Sequence, residues 1–333
     1  MQDRQPASPT DRIEVFSFGE PESVLDRSQI LDYIQALDTG HWYEPPVSPQ
    51  GLADSFRASA HHSSAIYVKR NILVSTFQPH PALSTNTFAR FALDYLVMGN
   101  AYLVGQRSRL GNRLPFDAPL AKYMRRGSRD LAQYFYVPAG LEEHEFATGT
   151  VFHLIEHDVH QEVYGVPEYL SALQAAWLNE SATLFRRRYY RNGSHAGYIL
   201  YMTDASHDTK DVEALRTAIR NSKGPGNFRN LFMYAPSGKK DGLQVIPLSE
   251  VTAKDEFWNI KNATRDDILA AHRVPPQLLG IIPNSTGGFG PVEDAARVFV
   301  VNELKPLQIR MAQLNEWAGE EIVRFNPYEL ASA

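Results

Sequence analysis

The sequence predicts an α+β fold in three parts. A strand-bearing N-terminal half leads to two long helices bracketing a small α/β insert, and a loop of small residues then leads to a long amphipathic helix. Three observations carry the prediction. Short runs of β-formers divided by turn residues crowd residues 101–156. Helical periodicity with start and stop signals marks 167–192 and about 249–274. After Leu279 the chain reads GIIPNSTGGFGP, which has the composition of a mobile element mounted between well-specified helices.

Composition narrows the possibilities. The 333 residues suffice for one large or two to three smaller domains, and 43% hydrophobic content is that of a globular chain. No apolar run reaches the ~18 residues of a membrane span. The N-terminal stretch is polar and lacks the apolar centre of a signal peptide. Cysteine is absent, which excludes disulfides, thiolate metal sites and cysteine nucleophiles and fits a cytosolic setting. A net charge of -5 argues against coating nucleic acid by bulk electrostatics, though it permits a local basic surface. The 16 Tyr and 17 Phe suit sizeable interfaces.

Along the chain, residues 1–12 read as an arm and Ile13–Phe18 as a short edge strand. Arg27–Asp38 reads as a helix, and His41–Pro49 as a proline-rich linker. A helical region begins at Pro49–Ala60, continues through Ser63–Val74 and is broken by Pro79-His80-Pro81. Ser84 caps a helix to Met98 with Phe88, Phe91, Ala92, Tyr95 and Leu96 on one stripe, and Gly99-Asn100 ends it. Ala101–Gln106, Leu114–Leu120, Tyr134–Val137 and Val151–Glu156 read as strands of one small sheet. Pro167–Asn192 is the first long helix, spanning roughly 39 Å. Arg186, Arg187, Arg188 and Arg191 near its end either complement the helix dipole or meet an interface or phosphate.

The insert reads β-α-β-β: Gly197–Met202, helix Asp208–Asn221, Asn230–Tyr234 and Gln244–Leu248. It is mildly basic within an acidic chain. A short strand at Ile322–Phe325 closes the pattern.

Catalytic motifs are weak. SGKKDG at 237–242 lacks the spacing of a phosphate loop, and Lys240 stands where magnesium needs Ser or Thr. No dinucleotide fingerprint or G-x-S-x-G elbow occurs. HLIEHDVH (153–160) fits surface histidines on a strand better than a metal cluster, and His61-His62-Ser63-Ser64 reads as an exposed helix turn. A non-enzymatic role without cofactor or metal therefore leads.

The two long helices carry more surface than they can bury on each other, and such helices find partners in neighbouring subunits of a ring. Three segments then acquire a common meaning. VYGVPEYLSALQAAWLNESATLFRRRYYRNGSHAGYIL, KNATRDDILAAHRVPPQLLGI and VVNELKPLQIRM, in this order, resemble the portal proteins of tailed bacteriophages. The likeness is strongest to the short, PBSX-like type of contractile-tailed phages and related prophages, and covers roughly residues 45–320.

The resemblance implies a virion-located ring, usually of twelve subunits, assembled in the host cytoplasm. Double-stranded DNA would pass its axial channel during packaging and ejection. The terminase large subunit, the major capsid and scaffolding proteins and the head-tail connector proteins are the implied partners. It assigns 1–166 to arm and wing, 167–192 to the first stem helix and 193–248 to the clip. Residues 249–280 become the second stem helix with its VPPQLLG segment, 281–292 the tunnel loop, and 293–333 the return helix, kinked at Pro306, with the tail.

Asn284, Ser285, Thr286, Gly287, Gly288, Phe289 and Gly290 would form the loop at the DNA, with Phe289 either facing DNA or anchoring the loop. Lys254, Lys261 and Arg265 are the expected stem lining, or else they pair within their helix. Lys210, Arg216, Arg220, Lys239 and Lys240 are expected on the clip, facing terminase or connector, or simply solvated. The competing readings are a DNA-packaging ATPase or nuclease, and a capsid or baseplate protein without DNA contact.

Overall fold

A computed structural model gives the backbone of residues 14–15, 36–106, 108, 114–191, 198–202, 231–234, 243–247, 253–281 and 292–329, and the description is confined to these. The chain divides into two compact units. One comprises residues 25–179 and 263–333, the other 1–24 and 180–262.

In the larger unit, β2 (Leu37–Asp38) pairs with β3 (Trp42–Glu44). Two expectations change here: Leu37–Asp38 is strand rather than helix end, and the proline-rich linker contains a paired strand. Tyr43 aligns with Arg126 and Trp42 with Gly127 of the neighbouring strand, so Pro45-Pro46 end a strand instead of preventing one. Helix α1 (Pro49–Ser55) starts on a Ser48 cap, and α2 (Ala60–Thr76) follows after a break at residues 56–59. Its buried residues His62, Ala65, Ile66, Lys69, Ile72, Leu73 and Thr76 fall on one helical stripe. The chain then forms β4 (Phe77–Gln78).

Helix α3 (Thr85–Met98) is capped by the Ser84 hydroxyl, which accepts from Thr87 N–H, and ends at Gly99 in the left-handed region, as its sequence dictates. Strand β5 (Asn100–Val104) follows at once. Then come β6 (Met124–Gly127), β7 (Tyr134–Tyr136), β8 (His144–Glu145) and β9 (Val151–Ile155). The expected single sheet is in fact two among the described residues: β5 pairs with β9, while a five-stranded sheet runs β2-β3-β6-β7-β8. Residues 114–120 touch β5 through a single bridge, Val104 to Asp117, and form no strand.

Strand β5 is buried on both faces. Ala101 and Leu103 enter a core with Leu73, Phe88, Phe91, Phe152, Leu304, Leu307 and Met311. Tyr102 and Val104 enter a second with Ile66, Met98, Met124, Tyr169, Leu173 and Trp177. The period-2 side-chain alternation of a strand thus joins two cores.

The first long helix begins later than Pro167. A 3-10 turn at Leu170–Ala172 precedes α4 (Leu173–Arg191). The second long helix is α5 (Ala253–Ala271). The unit boundary, at 179/180 and 262/263, passes through both helices. The smaller unit holds a sheet of order β1-β11-β10-β12, built from β1 (Glu14–Val15), β10 (Tyr198–Met202), β11 (Leu231–Tyr234) and β12 (Leu243–Pro247). The strand expected at the edge of the N-terminal domain instead pairs with the insert, Glu14 opposite Tyr234. The expected helix 208–221 lies outside the described residues.

After α5 the VPPQLLG segment makes a 3-10 turn, Pro276–Leu279, closed by Gly280 in the left-handed region. The return helix comprises α6 (Val292–Phe299), a π segment (Val300–Leu304), α7 (Lys305–Met311) and α8 (Gln313–Ala318). Pro306 has no N–H, and its ring would crowd the carbonyl four residues back. The helix accommodates it by widening just before, where Lys305 N–H bonds to the Val300 carbonyl. Strand β13 (Arg324–Phe325) then pairs with β4.

Candidate functional site

The best-defined polar site in the larger unit lies at the root of the two long helices. Glu168 precedes α4, and Arg273 follows α5. The return helix supplies Glu303 and Arg310, α2 supplies Lys69, α3 supplies Tyr95, and the residue after β9 is Glu156. Lys69 Nζ lies 3.0 Å from Glu303 and 3.8 Å from Glu168. Arg273 Nη1 bridges Glu303 at 3.0 Å and Glu168 at 3.2 Å. Arg310 Nη1 donates to Glu168 at 3.0 Å and to Glu156, which also accepts from the Tyr95 hydroxyl.

The three cations and three carboxylates balance. Burial pushes Glu168 up, but Lys69, Arg310 and Arg273 outweigh it and hold the carboxyl below its ordinary value. Burial pushes Glu156 up, and its bonds to Tyr95 and Arg310 only partly offset that. Arg273 sits at φ 53, a left-handed conformation that costs a non-glycine residue free energy.

The chain reaches this root through Gly165-Val166-Pro167. Asn100 holds it there: its Oδ1 accepts from Gly165 N–H at 2.8 Å, and its Nδ2 donates to the Gly165 carbonyl at 2.8 Å. A Cβ on Gly165 would lie 2.1 Å from the Gly99 carbonyl oxygen, so no side chain fits there. Deeper, Ser59, Asn179 and Thr264 form a buried chain, with Asn179 Nδ2 donating to Thr264 Oγ1 at 2.8 Å.

The histidine at position 62 overturns its sequence reading. His62 is fully buried, not on an exposed turn, and its Nδ1 meets His272 Nε2 at 2.9 Å. Tyr169 packs edge-on against it. Burial pushes His62 down to about 4, and burial with neighbouring cations keeps His272 well below the ordinary histidine range. Likewise His153 is no surface residue: it stacks on Tyr102 with centroids 4.2 Å apart, and its Nε2 meets Asn100 Oδ1. Among the described residues, no cluster of metal-ligating side chains occurs and no helix is long and apolar enough to cross a membrane.

The stem residues expected at DNA are placed unequally. Lys261 is half-buried; burial and the nearby Arg186 lower its proton affinity. Arg265 is buried, and its Nε donates to the adjacent Asp266 at 2.8 Å, a pairing outside the three- and four-residue spacings of helix partners. The side chain of Lys254 lies outside the described residues, as do Asn284–Gly290, Lys210, Arg216, Arg220, Lys239 and Lys240.

Sequence reasoning missed Lys69, Glu303, His62 and Asn100. For the first three a signal existed: each is a polar residue on the apolar stripe of a helix.

Comparison with known proteins adds the identity of the fold. Residues 68–330 match the family model described as phage portal protein. The chain is 56% identical over 331 residues to a probable portal protein of Escherichia phage P2, covering 98% of this chain and 96% of that protein. It is 35% identical over 298 residues to a probable portal protein of Haemophilus phage HP1, covering 87% and 86%.

Two solved structures share the fold at low identity. The neck of a native gene transfer agent particle, computed with C12 symmetry, aligns with TM-score 0.60 and 18% identity over 84% of each chain. An HK97-family phage portal protein from Corynebacterium diphtheriae aligns with TM-score 0.55 and 14% identity, covering 83% of this chain and 94% of that one. The chain belongs to the phage portal protein family and is a portal-vertex protein of a tailed phage.

Proposed function

We propose that copies of this chain close into a ring of about twelve, as the C12 neck of the gene transfer agent suggests, around a channel for double-stranded DNA. The observation that carries the reading is the 56% identity to a phage portal protein across 98% of the chain. In this ring 167–192 and 249–280 form the stem, 193–248 the clip and 281–292 the tunnel loop.

DNA must slide through such a channel. Phosphate contacts carry no sequence information, and a loop of Asn284, Ser285, Thr286, Gly287, Gly288, Phe289 and Gly290 offers weak contact and backbone freedom. Of the stem cations, Lys261 is the leading contact. Its nearness to Arg186 concentrates positive charge, and an anionic polymer would relieve the repulsion. Lys254 adds to it, and Arg265, covered and paired with Asp266, contributes at longer range. The clip cations Lys210, Arg216, Arg220, Lys239 and Lys240 face the terminase large subunit during packaging and connector proteins afterwards. Capsid and scaffolding proteins meet the wing.

The test deletes residues 284–290 in the phage. Rings should still assemble, and filled heads should fail to accumulate or to retain DNA. Packaging and retention at wild-type levels would contradict a tunnel-loop role.

A further inference from the structure

The solvent face of the return helix is not built for solvent. Its buried side is Ala296, Phe299, Glu303, Leu304, Leu307 and Met311. On the opposite side Val298 is 57% exposed, Val301 54% and Ile309 70%. With exposed Lys305 they recur three to four residues apart across α6, the π segment and α7, all away from the buried side. β-Branched residues are mediocre helix formers, so local propensity does not explain three of them on a solvated face. Single exposed apolar residues are ordinary, whereas an aligned row marks a contact. Lys305 has no carboxylate partner among the described residues, and Arg297 has only the exposed Asp294 at 3.3 Å.

Elsewhere on the same unit lies a segment of matching chemistry. Leu141 is 75% exposed at the turn entering β8, followed by exposed Glu142, Glu143 and Glu145. Among the described residues, strand β8 is the last of its sheet. Glu143 and Glu145 have local partners, His41 at 3.5 Å and Gln133 at 2.5 Å; Glu142 has none among the described residues.

The geometry points to a subunit contact in which the Leu141–Glu145 tip of one copy covers the Val298, Val301 and Ile309 stripe of the next, with Glu142 facing Lys305. An apolar Leu141 followed by carboxylates complements the part of the stripe around Lys305, while at the other end Asp294 is already paired with Arg297. The two patches differ and belong to one chain, so the contact is head-to-tail, the kind that closes into a ring. The inference rests on the ring proposed above and names the surface that closes it.

The experiment compares wild type, Lys305→Glu, Glu142→Lys and the double reversal. Ring and free subunit are quantified by mass photometry across protein concentration, and circular dichroism checks the fold. Each single reversal should raise the concentration for half-assembly by about tenfold or more, and the double should recover most of that loss. Ile309→Ser, which leaves charge untouched, should weaken the ring as the single reversals do. Unchanged assembly in all variants overturns the inference while leaving the portal ring standing. Losses that merely add in the double reversal overturn the pairing of tip and stripe. Intact rings that no longer enter capsids assign the stripe to a capsid-side partner instead, and overturn it too. A wild-type chain that never forms rings removes the portal-ring reading itself.

Discussion

The root of the two long helices and the outer face of the return helix lie on opposite sides of the same helical segment and are built on opposite principles. At the root, Glu303 and Arg310 join Lys69, Arg273, Glu156 and Glu168, so that three cations and three carboxylates satisfy one another within one chain. On the outer face, Val298, Val301 and Ile309 each remain more than half exposed. The protomer completes the root alone, and in the proposed ring it leaves the outer stripe to assembly. The root ties the residue before α4 and the residue after α5 to the return helix within the larger unit, so it is complete before any second molecule arrives. The outer stripe gains its value only when a second molecule arrives.

Removing one partner at the root should break this comparison hardest. Glu303→Ala leaves Lys69 buried beside only the more distant Glu168 and should cost about 3–5 kcal/mol, read by denaturant unfolding of the protomer. A loss under about 1 kcal/mol would show that the root is not a closed ionic unit.

Gly165→Ala should come next, at about 1–3 kcal/mol. Its Cβ would sit 2.1 Å from the Gly99 carbonyl oxygen, and the Gly-Val-Pro entry would have to shift away from Asn100. The same unfolding measurement checks it.

The histidine pair adds a pH term of known sign. His62 folds with its proton affinity lowered from 6.5 to about 4, so the unfolded chain binds the extra proton between those values. Its contribution is full above about pH 6.5, falls as the pH drops through that window, and is lost near pH 4. Asp94, raised by burial to about 6, acts in the opposite direction over an overlapping range. The informative quantity is therefore the difference in unfolding free energy between wild type and His62→Gln, in which Asp94 cancels. It should shrink on acidification by up to roughly 3 kcal/mol. A pH-independent difference would mean that His62 is not buried neutral.

The smallest effect belongs to the outer stripe. Ile309→Ser should change protomer stability by no more than about 0.5 kcal/mol, because the side chain is already in water. A large protomer effect would place Ile309 inside the fold and erase the contrast.

How much of this was legible in the sequence depended on distance along the chain. Helix α3 was readable in full, since the Ser84 cap, the Phe88–Tyr95 stripe and Gly99 are all local signals. Strands β5 and β9 were readable from composition, but not that they form a pair apart from the five-stranded sheet, because strand pairing is tertiary. Trp42–Glu44 was misread because Pro45-Pro46 dominate the local pattern, whereas its partner lies near Arg126.

The root was missed for the same reason. Lys69 and Glu303 are 234 residues apart, and each alone resembles an ordinary surface charge. Their placement on apolar stripes was the available clue. His62 carried the same clue, obscured by His61, Ser63 and Ser64 around it. The family resemblance rested on segments spread across the chain and agreed with the match over residues 68–330.

In the proposed ring each copy of the chain supplies one sector. Negative-stain electron microscopy of the purified chain tests it most directly. Annular particles of about twelve sectors with an open axial channel are expected. A monomer that persists at every concentration would contradict it.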